Sequence, residues 1–391
     1  MILKLQSKYA LISYFLVAAI CAGCRNHPDT AYSPDHKFYS PQYAGGFEIL
    51  GTKNKKSRII RTKAAWQGAD STARDLLILR GEECIPEGFN GQVIDSAAHR
   101  IIAMSSSYIA ALDIIGKVRS IVGVSGIDYI SNTYIQNEQN NIIDVGNETN
   151  VDFEKLVTCS PDIVLLYGIN SSSAMEERLR RLKIPYFYMG EYLENNPLGR
   201  AEWMVALAEI TGNSQVGIDI FNRISHCYDS LKTLVSPEIQ RPKIMLNAPY
   251  GDNWFMSPTK SSMAALIRDA GGEYVYTEND SNKSVPIDKE AAWSLISNSD
   301  IWLNPGQVSS LQELISICPG IENTKCVKTG NVFNCDKRRT RRGGNDFWES
   351  GHFRPEVILS DLIKIFHPEL SDSTDLYLYR RLPDFETALK D

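Results

Sequence analysis

The chain has 391 residues, of which 43% are hydrophobic, 23% charged and 9% aromatic, the composition of a globular protein with more than one core. This composition excludes a disordered, collagen-like or coiled-coil chain. Asp and Glu number 47 against 41 Lys and Arg, a formal net charge of -6, so the molecule as a whole has no electrostatic reason to bind nucleic acid. At roughly 150 residues per domain, we expect two or three domains or one large bilobed unit.

Residues 1–23 have the pattern of an export signal. Two lysines precede an apolar run, Tyr9 to Cys21, that is too short to span a bilayer comfortably. Small residues then precede Cys24 as in a bacterial lipobox, although Cys21 stands where that pattern usually has Leu. We expect a lipoprotein signal peptide over 1–23, lipidation of Cys24 and a polar tether over 24–43. The alternative is a plain signal peptide without lipid.

Residues 44–97 are predicted to form a small β-rich extension. Three runs, Gly45–Leu50, Ser57–Thr62 and Leu76–Leu79, are apolar or alternating and are separated by turn residues. The alternative is a solvated linker, which the strand runs and the aromatic residues Phe47 and Trp66 disfavour.

Residues 98–195 are predicted to form an α/β lobe. The order is strand, serine-rich turn, helix and strand from Arg100 to Val124, with Gly116 closing the helix. A short helix over 151–157 then leads into the strand Ile163–Tyr167, whose uniformly apolar sequence is typical of a parallel sheet covered on both faces. A helix over Ala174–Leu182 and a strand over Ile184–Met189 complete this N-lobe.

Residues 196–236 carry the most regular helical pattern of the chain. Asn196 and Pro197 are a good N-cap and first-turn pair, and Gly212 closes the first helix. A second helix begins at Ser214, and its apolar stripe continues for about six turns, or roughly 30 Å. A rigid helix of that length can join two lobes, and ligands bind in the clefts between lobes.

Residues 241–370 repeat the N-lobe pattern. Ser261–Gly272 corresponds to Ser106–Gly116, and Ile287–Gly306 corresponds to Val151–Gly168. The predicted fold class is therefore α/β, with two similar α/β lobes joined by a long rigid interlobe helix and preceded by the β-rich extension. Residues 371–391 are expected to be a C-terminal tail. Convergence on α/β patterning is the alternative explanation of the repeat.

The cysteines and histidines give no clear metal site. Cys318 has a possible disulfide partner in Cys326 or Cys335, but partly buried free thiols fit the sequence equally well. Four histidines remain outside the tether, and none forms a pair at metal-ligand spacing. The run Gly123–Ile127 lacks the last glycine of a nucleophile elbow, and no metalloprotease, P-loop or dinucleotide motif follows a strand. We therefore expect no enzyme and no bare-metal capture.

Taken in order, these features resemble the iron-siderophore and cobalamin substrate-binding proteins of ABC importers. The features are the lipobox, the paired lobes, the interlobe helices with Trp203, the segment Arg100–Gly116 and the segment Leu156–Leu166. The resemblance covers roughly His99 to Glu369. It implies a lipid-anchored monomer in the periplasm that delivers its ligand to a permease and its ATPase. It implies no resident cofactor, because the metal arrives within the ligand.

The resemblance also implies that one acidic residue on each lobe docks onto the permease. Glu176 or Glu177, at the start of the helix after Tyr167, lies near the N-lobe docking position. In the C-lobe the comparable stretch has Lys260 instead of an acid, so the second docking residue is not assigned.

The loop from Lys337 to Trp348 is the densest candidate for ligand contact, because it joins a strand to a helix in the C-lobe. Arginine forks bind carboxylates, catecholates and phosphates, and a tryptophan stacks on a planar group. Tyr129 and Tyr167 match positions where such binding proteins present aromatic rings to the cleft. The alternatives are a solvated basic loop for the arginines and rim or core positions for the tyrosines. The predicted ligand-binding residues are Tyr129, Tyr167, Arg338, Arg339, Arg341, Arg342 and Trp348.

The predicted function is capture of an iron chelate, either a ferric siderophore or haem, in the cleft between the lobes. Haem stays open because a tyrosine can ligate its iron. The alternative within the class is a cobalamin-binding component of a corrinoid importer, which has little need for four arginines. The alternatives of another class are an exported hydrolase using Ser125 or an unrecognised nucleophile, and a lipoprotein interaction module.

Overall fold

A computed structural model describes residues 32–69, 73–139, 141–147, 149–168, 174–251 and 253–384. The predicted signal peptide and lipidated Cys24 lie outside the described residues. Within these ranges the chain forms an N-terminal sheet, two parallel-sheet lobes and a group of helices between the lobes.

The N-terminal extension is a five-stranded sheet in the order in which its strands occur along the chain. The first four strands are antiparallel neighbours, and the fourth and fifth are parallel. The sheet begins earlier than we predicted, because β1 lies within the segment expected to be a tether. The strands are β1 His36–Tyr39, β2 Phe47–Gly51, β3 Arg58–Thr62, β4 Arg74–Ile78 and β5 Gln92–Ile94.

A buried glutamate, Glu202, attaches this extension to the rest of the protein. The carboxylate of Glu202, fully buried, accepts hydrogen bonds of 2.7 Å from the Tyr39 hydroxyl and from the main-chain N–H groups of Gln42, Tyr43 and Ala44. Because a buried carboxylate must be fully hydrogen-bonded, these contacts fix the segment between β1 and β2. They explain why part of the expected tether is ordered.

The N-lobe is built on a five-stranded parallel sheet in the order β12-β11-β6-β7-β8. All residues of Ile163–Leu166 are buried, as predicted for a strand covered on both faces. Its elements are β6 Ile101–Ala103, α1 Ser106–Ile114, β7 Ile121–Val124, α2 Thr133–Asn137, β8 Ile143–Asp144, β9 Gly146–Asn147, β10 Asn150–Val151, α3 Phe153–Thr158, β11 Ile163–Leu166, α4 Ala174–Leu182 and β12 Tyr186–Tyr188.

The interlobe segment contains α5 Pro197–Glu202, α6 Met204–Ile210 and α7 Ser214–Thr233. Helices α6 and α7 cross so closely that a Cβ built on Gly217 would lie 2.3 Å from the Cβ of Ala208. The predicted apolar stripe of α7 is only partly correct: Phe221, Ile224 and Tyr228 are buried, but Val216 is exposed. The helix therefore packs through a narrower face than the sequence indicated.

The C-lobe has a second five-stranded sheet, in the order β16-β13-β18-β19-β20. A three-stranded sheet, β14-β15-β17, lies beside it. The last strand, antiparallel to β19, belongs to the segment predicted to be a tail. The elements are β13 Lys243–Leu246, β14 Pro249–Tyr250, β15 Asn253–Met256, α8 Ser262–Asp269, β16 Glu273–Tyr274, β17 Val285–Ile287, α9 Lys289–Ser297, β18 Ile301–Leu303, α10 Leu311–Ile317, α11 Lys325–Lys328, β19 Val332–Asn334, α12 Asp346–Glu349, α13 Pro355–Phe366 and β20 Arg380–Arg381.

Matching hydrogen bonds in the two lobes confirm the repeat seen in the sequence. Ser105 caps α1 and Ser261 caps α8 through their side-chain oxygens. In each lobe an aspartate before one central strand also binds the start of the neighbouring strand. Asp162, before β11, accepts from the N–H of Arg100, before β6, at 2.9 Å. Asp300, before β18, accepts from the N–H of Lys243, the first residue of β13, at 2.8 Å. The lobes therefore share local contacts as well as strand order.

Candidate functional site

A cavity of about 710 Å³ lies between the lobes. Its wall combines residues of the extension, the segment before α5, helix α5 itself and the C-lobe. No Asp or Glu belongs to this wall within the described part of the chain. The lining residues include Ala64, Trp66, Gln67, Gly68, Tyr192, Arg200, Asn247, Ser261, Ser262, Asn282, Lys283, Asn304, Phe347, Trp348 and His352.

The C-lobe sheet reaches the cavity through two asparagines. Asn247 directly follows β13 and Asn304 directly follows β18, so both stand at the carboxyl ends of neighbouring parallel strands, where α/β proteins bind ligands. Both have left-handed backbones, with φ of 66° and 58°. Among residues other than glycine, asparagine is one of those that adopt this conformation most readily.

Three helices begin at the cavity wall. Pro197 is at the start of α5, Ser261 and Ser262 are at the start of α8, and Pro355 is at the start of α13, and all four line the cavity. The N-terminus of a helix carries a partial positive charge. Helices α8 and α13, of 8 and 12 residues, therefore place positive potential at the wall, whereas α5 is only 6 residues long.

Arg200 is the cation held most firmly in the wall. Its Nη1 donates to His352 Nδ1 at 2.9 Å, its Nη2 to the carbonyl of Tyr192 at 3.0 Å and its Nε to the carbonyl of Glu194 at 3.2 Å. Among the described residues, no carboxylate lies within 4.0 Å of its guanidinium nitrogens. Burial lowers the pKa of Arg200. Since a guanidinium has five N–H groups, two remain for another acceptor.

His352 is neutral in this environment. Burial, followed by the charge of Arg200, lowers its pKa to about 3. A guanidinium can only donate, so Nδ1 of His352 is the acceptor and the ring proton is on Nε2. A neutral histidine of this tautomer offers a hydrogen-bond donor and no free lone pair at Nε2.

A buried carboxyl group lies behind Arg200. Glu191 is buried, and its Oε1 accepts a 3.4 Å hydrogen bond from the Ser107 hydroxyl. Burial raises the pKa of Glu191 to about 7, although the charge of Arg200 opposes this rise. The carboxyl group is therefore only partly ionised near neutral pH, which leaves the positive charge of Arg200 incompletely balanced.

Aromatic rings line the cavity from both sides. Trp66 belongs to the extension and Tyr192 to the N-lobe side, whereas Phe347 and Trp348 belong to α12 of the C-lobe. Trp348 is 54% exposed, and its ring packs edge-to-face on Phe347 at 4.8 Å and tilted toward His352 at 6.2 Å. An exposed ring held by neighbours offers a surface on which a planar group can stack.

A second hollow, of about 670 Å³, adjoins the first through Asn247, Asn304 and Trp348. It is lined by Arg339 and by the exposed side chains of Tyr250 and Ile317. The predicted residues Trp348 and Arg339 therefore both line this second hollow.

The structure separates the four predicted arginines. Arg338 pairs with Asp346 at 2.6 Å and lies 4.5 Å above the ring of Tyr377, and Arg342 pairs with Asp128 of the N-lobe. Arg341 is exposed. None of the four lines the 710 Å³ cavity. Two of the arginines are thus engaged by acids of the protein itself, and a joint role in binding one anion stays a prediction.

The two predicted tyrosines also lie away from the main cavity wall. Tyr129 of the N-lobe is 69% exposed and lies where the lobes meet. Its main-chain oxygen is so close to Gly344 of the C-lobe that a Cβ built on Gly344 would lie 2.7 Å from it. Tyr167 is half-buried and packs against the hydrophobic cores. Rim and core positions, the alternatives considered from the sequence, describe them better than the cavity does.

The two candidate docking glutamates differ in exposure. Glu176 is 4% exposed and accepts hydrogen bonds from Arg74, Tyr186 and Tyr188. Its carboxylate is therefore not available to another protein in this conformation. Glu177 is 70% exposed at its side chain and pairs with Arg181 on the same helix. Docking through Glu177 stays a prediction.

The cysteines of the described chain are free thiols. Cys318, Cys326 and Cys335, the possible partners, form no disulfide, and burial raises the pKa of all three. Within the described residues, no group of three or more His, Cys, Asp and Glu side chains is placed to hold a metal ion. In the same part of the chain, no helix is long and apolar enough to cross a bilayer.

Sequence reasoning missed the three central residues of the cavity wall, Arg200, His352 and Trp66. Arg200 sits one helical turn after the predicted N-cap pair, and nothing in the local sequence distinguishes it from a surface arginine. His352 was one of several scattered histidines. Only the tertiary fold brings these residues together, because 152 positions separate Arg200 from His352.

The comparisons with known proteins agree with this geometry. The family model for periplasmic binding proteins matches residues 101–339, more than half of the chain. The chain belongs to this family. An uncharacterized lipoprotein of Methanocaldococcus jannaschii is 26% identical over 77% of this chain and 74% of its own length.

Two solved structures show the same fold. A periplasmic heme-binding protein from Pseudomonas aeruginosa has a TM-score of 0.55 at 16% identity, over 73% of this chain and 98% of that one. The heme-binding protein of Roseiflexus in its apo form has a TM-score of 0.54 at 16% identity, over 70% and 100%. The matched region of the family model begins after the extension, at residue 101.

Proposed function

We propose that this periplasmic binding protein is the substrate-binding component of an ABC importer and that it captures an anionic iron chelate, a ferric siderophore or haem. The observation that carries the proposal is the chemistry of the cavity wall. It combines Arg200, Lys283, the N-termini of helices α8 and α13 and several aromatic rings, with no Asp or Glu among its described residues. A volume of about 710 Å³ lies within the range of roughly 300–1,000 Å³ usual for small-molecule sites.

The iron is proposed to arrive already coordinated by its chelator. The Nδ1 lone pair of His352 accepts from Arg200, and its Nε2 carries the proton. The Tyr192 hydroxyl donates to the carbonyl of Gly168. Both side chains are thus engaged as hydrogen-bonding groups, which suits them to the periphery of a chelate better than to its metal.

Delivery and anchoring complete the proposal. Cys24 would carry the lipid that holds the protein at the membrane on the periplasmic side, and Glu177 would dock onto the permease. The lipoprotein relative supports anchoring through a lipid.

Docking through Glu177 can be tested in cells. Glu177→Lys should reduce uptake without changing the ligand affinity of the purified protein. The matched control is Glu154→Lys, because Glu154 is an exposed acid of α3.

The direct test is a titration of the purified protein with haemin, a ferric tricatecholate, a ferric hydroxamate and cyanocobalamin, followed by quenching of tryptophan fluorescence. Saturable binding of one equivalent of an anionic iron compound, without its consumption, is the expected result. Exclusive binding of cyanocobalamin would transfer the assignment to corrinoid uptake. Binding of none of these compounds would contradict the proposed ligand class.

A further inference from the structure

The loop between β3 and β4 brings the N-terminal extension to the cavity. Four of its residues, Ala64, Trp66, Gln67 and Gly68, belong to the cavity wall. The extension lies outside the residues matched by the family model. Part of the wall is therefore supplied by a segment that the family model does not cover.

On the N-lobe side this loop is firmly packed. Ala65 is fully buried in the core of the N-lobe sheet, and the Trp66 ring packs edge-to-face on Tyr188 at 5.6 Å. The guanidinium of Arg74 lies 4.9 Å from the Trp66 ring centroid. A Cβ built on Gly168 would lie 3.0 Å from the Ala65 carbonyl oxygen, so the two segments approach as closely as glycine allows.

On the other side the same loop reaches the C-lobe. The side-chain amide of Gln67 donates to the carbonyl of Asn282 at 2.8 Å. Asn282, Lys283 and Ser284 line the cavity beside this bond. Their loop is held by the buried side chain of Asn279, which donates to the carbonyls of Met256 at 3.2 Å and Lys283 at 2.8 Å. Gln67 thus connects residues 64–68 of the extension to residues 279–284 of the C-lobe at the cavity wall.

We propose that the extension is a third wall of the ligand site, in which Trp66 and Gln67 are specificity-determining residues. This inference rests on the proposed function and deepens it. Trp66 offers an aromatic surface to a planar anionic ligand in a cavity whose wall also contains Lys283. The bond from Gln67 to Asn282 limits how far the lobes separate on this side and hence the width of the ligand that fits.

The ligand arm of the test uses Trp66→Leu and Gln67→Ala against haemin, a ferric tricatecholate and a ferric hydroxamate. Lys63→Ala is the matched control, because Lys63 is an exposed residue of the same loop that does not line the cavity. For the probe that the wild type binds, Trp66→Leu should weaken affinity about tenfold and Gln67→Ala should change the order of preference among probes. Unchanged affinities and preferences in both variants would overturn the inference while leaving the proposed function in place.

The second arm needs no ligand. Hydrogen exchange of residues 279–284 in the unliganded protein should accelerate about fivefold in Gln67→Ala and not in Lys63→Ala, because the loop loses its link across the cavity. If the wild type binds none of the probes, the proposed ligand class fails and this exchange decides the inference alone. Unchanged exchange in Gln67→Ala would then overturn it, and faster exchange would support the bridging wall.

Discussion

The guanidinium of Arg200, on helix α5 between the lobes, donates to Nδ1 of His352, which lies in the segment between helices α12 and α13 of the C-lobe. The contact is 2.9 Å long and joins two residues of the cavity wall. Burial, followed by the charge of Arg200, keeps the histidine neutral. The contact orients the guanidinium, and two of its five N–H groups are left for an acceptor. A partly buried cation with no carboxylate in direct contact costs free energy unless something compensates it, and we expect an anionic ligand to do so.

The histidine predicts a specific response to acid. The folded-state pKa of about 3 is below the ordinary value of 6.5, so the unfolded chain binds the proton first as pH falls. The stability contributed by neutral His352 is therefore present above pH 6.5 and is lost as pH falls toward 3. His352→Gln, which keeps an acceptor for Arg200, should remove this loss. Melting temperatures of both proteins at pH 7 and pH 4.5 test it.

Between pH 7 and pH 4.5, the free energy of unfolding of the wild type should fall by about 1 kcal/mol more than that of His352→Gln. This value is reduced to allow for the partial exposure of the ring. Equal losses in the two proteins would contradict the neutral histidine.

A buried carboxyl group at the contact between the lobes predicts the opposite sign. Glu349 accepts a 2.7 Å hydrogen bond from the main chain of Ser131 in the N-lobe, and burial raises its pKa to about 7 from an ordinary value of 4.5. Because the folded state binds the proton more tightly, this stability is present below pH 4.5 and is lost as pH rises through 7. Glu349→Gln keeps the acceptor and removes the titration.

As pH rises from 5 to 8, the free energy of unfolding of Glu349→Gln should therefore increase by on the order of 2 kcal/mol relative to that of the wild type. Denaturant unfolding at the two pH values measures the difference, and Glu356→Gln, another buried acid with a raised pKa but on helix α13, shows whether the effect depends on the contact between lobes. A difference that does not change with pH would show that Glu349 is ionised in the folded state throughout.

The attachment of the extension depends on Glu202. Replacing Glu202 with Ala leaves three buried or partly buried main-chain N–H groups without their acceptor. We therefore expect the free energy of unfolding to fall by about 3 kcal/mol or more and the segment before β2 to detach. Limited proteolysis should then cut near Gln42 in the variant and not in the wild type. Glu238→Ala, at an exposed position, is the control. Resistance of both variants to cleavage would contradict this attachment.

Most of the fold could be predicted from the sequence because its signals are local. Serine caps such as Ser105 and Ser261 and the apolar strand Ile163–Leu166 each depend on neighbouring residues only. The repeat was visible because both lobes need the same local signals. Strand β1 was missed because its order depends on Glu202, a residue more than 150 positions away.

The site was less predictable for the same physical reason. Trp348 was predicted because it belongs to a compact, unusual loop, and it does line the cavity, although its contact with a ligand stays a prediction. The neighbouring arginines are divided among Asp346, Asp128 and solvent. Charge density along the sequence does not tell which acid a given arginine will pair with. Arg200 and His352 carry no local signal, and their pairing follows from how the interlobe helices pack against the C-lobe.

The measurement that tests the central claim most directly is calorimetric titration of the tightest-binding anionic iron compound into the wild type, Arg200→Lys, Arg200→Ala and Arg241→Ala. Arg241 is the matched control because it is an exposed arginine that does not line the cavity. The account predicts at least a tenfold loss of affinity in Arg200→Ala, a smaller loss in Arg200→Lys and less than a twofold change in Arg241→Ala, with melting temperatures confirming that each variant is folded. Equal affinity of folded Arg200→Ala and the wild type would contradict the assignment of this cavity as an anion-binding site.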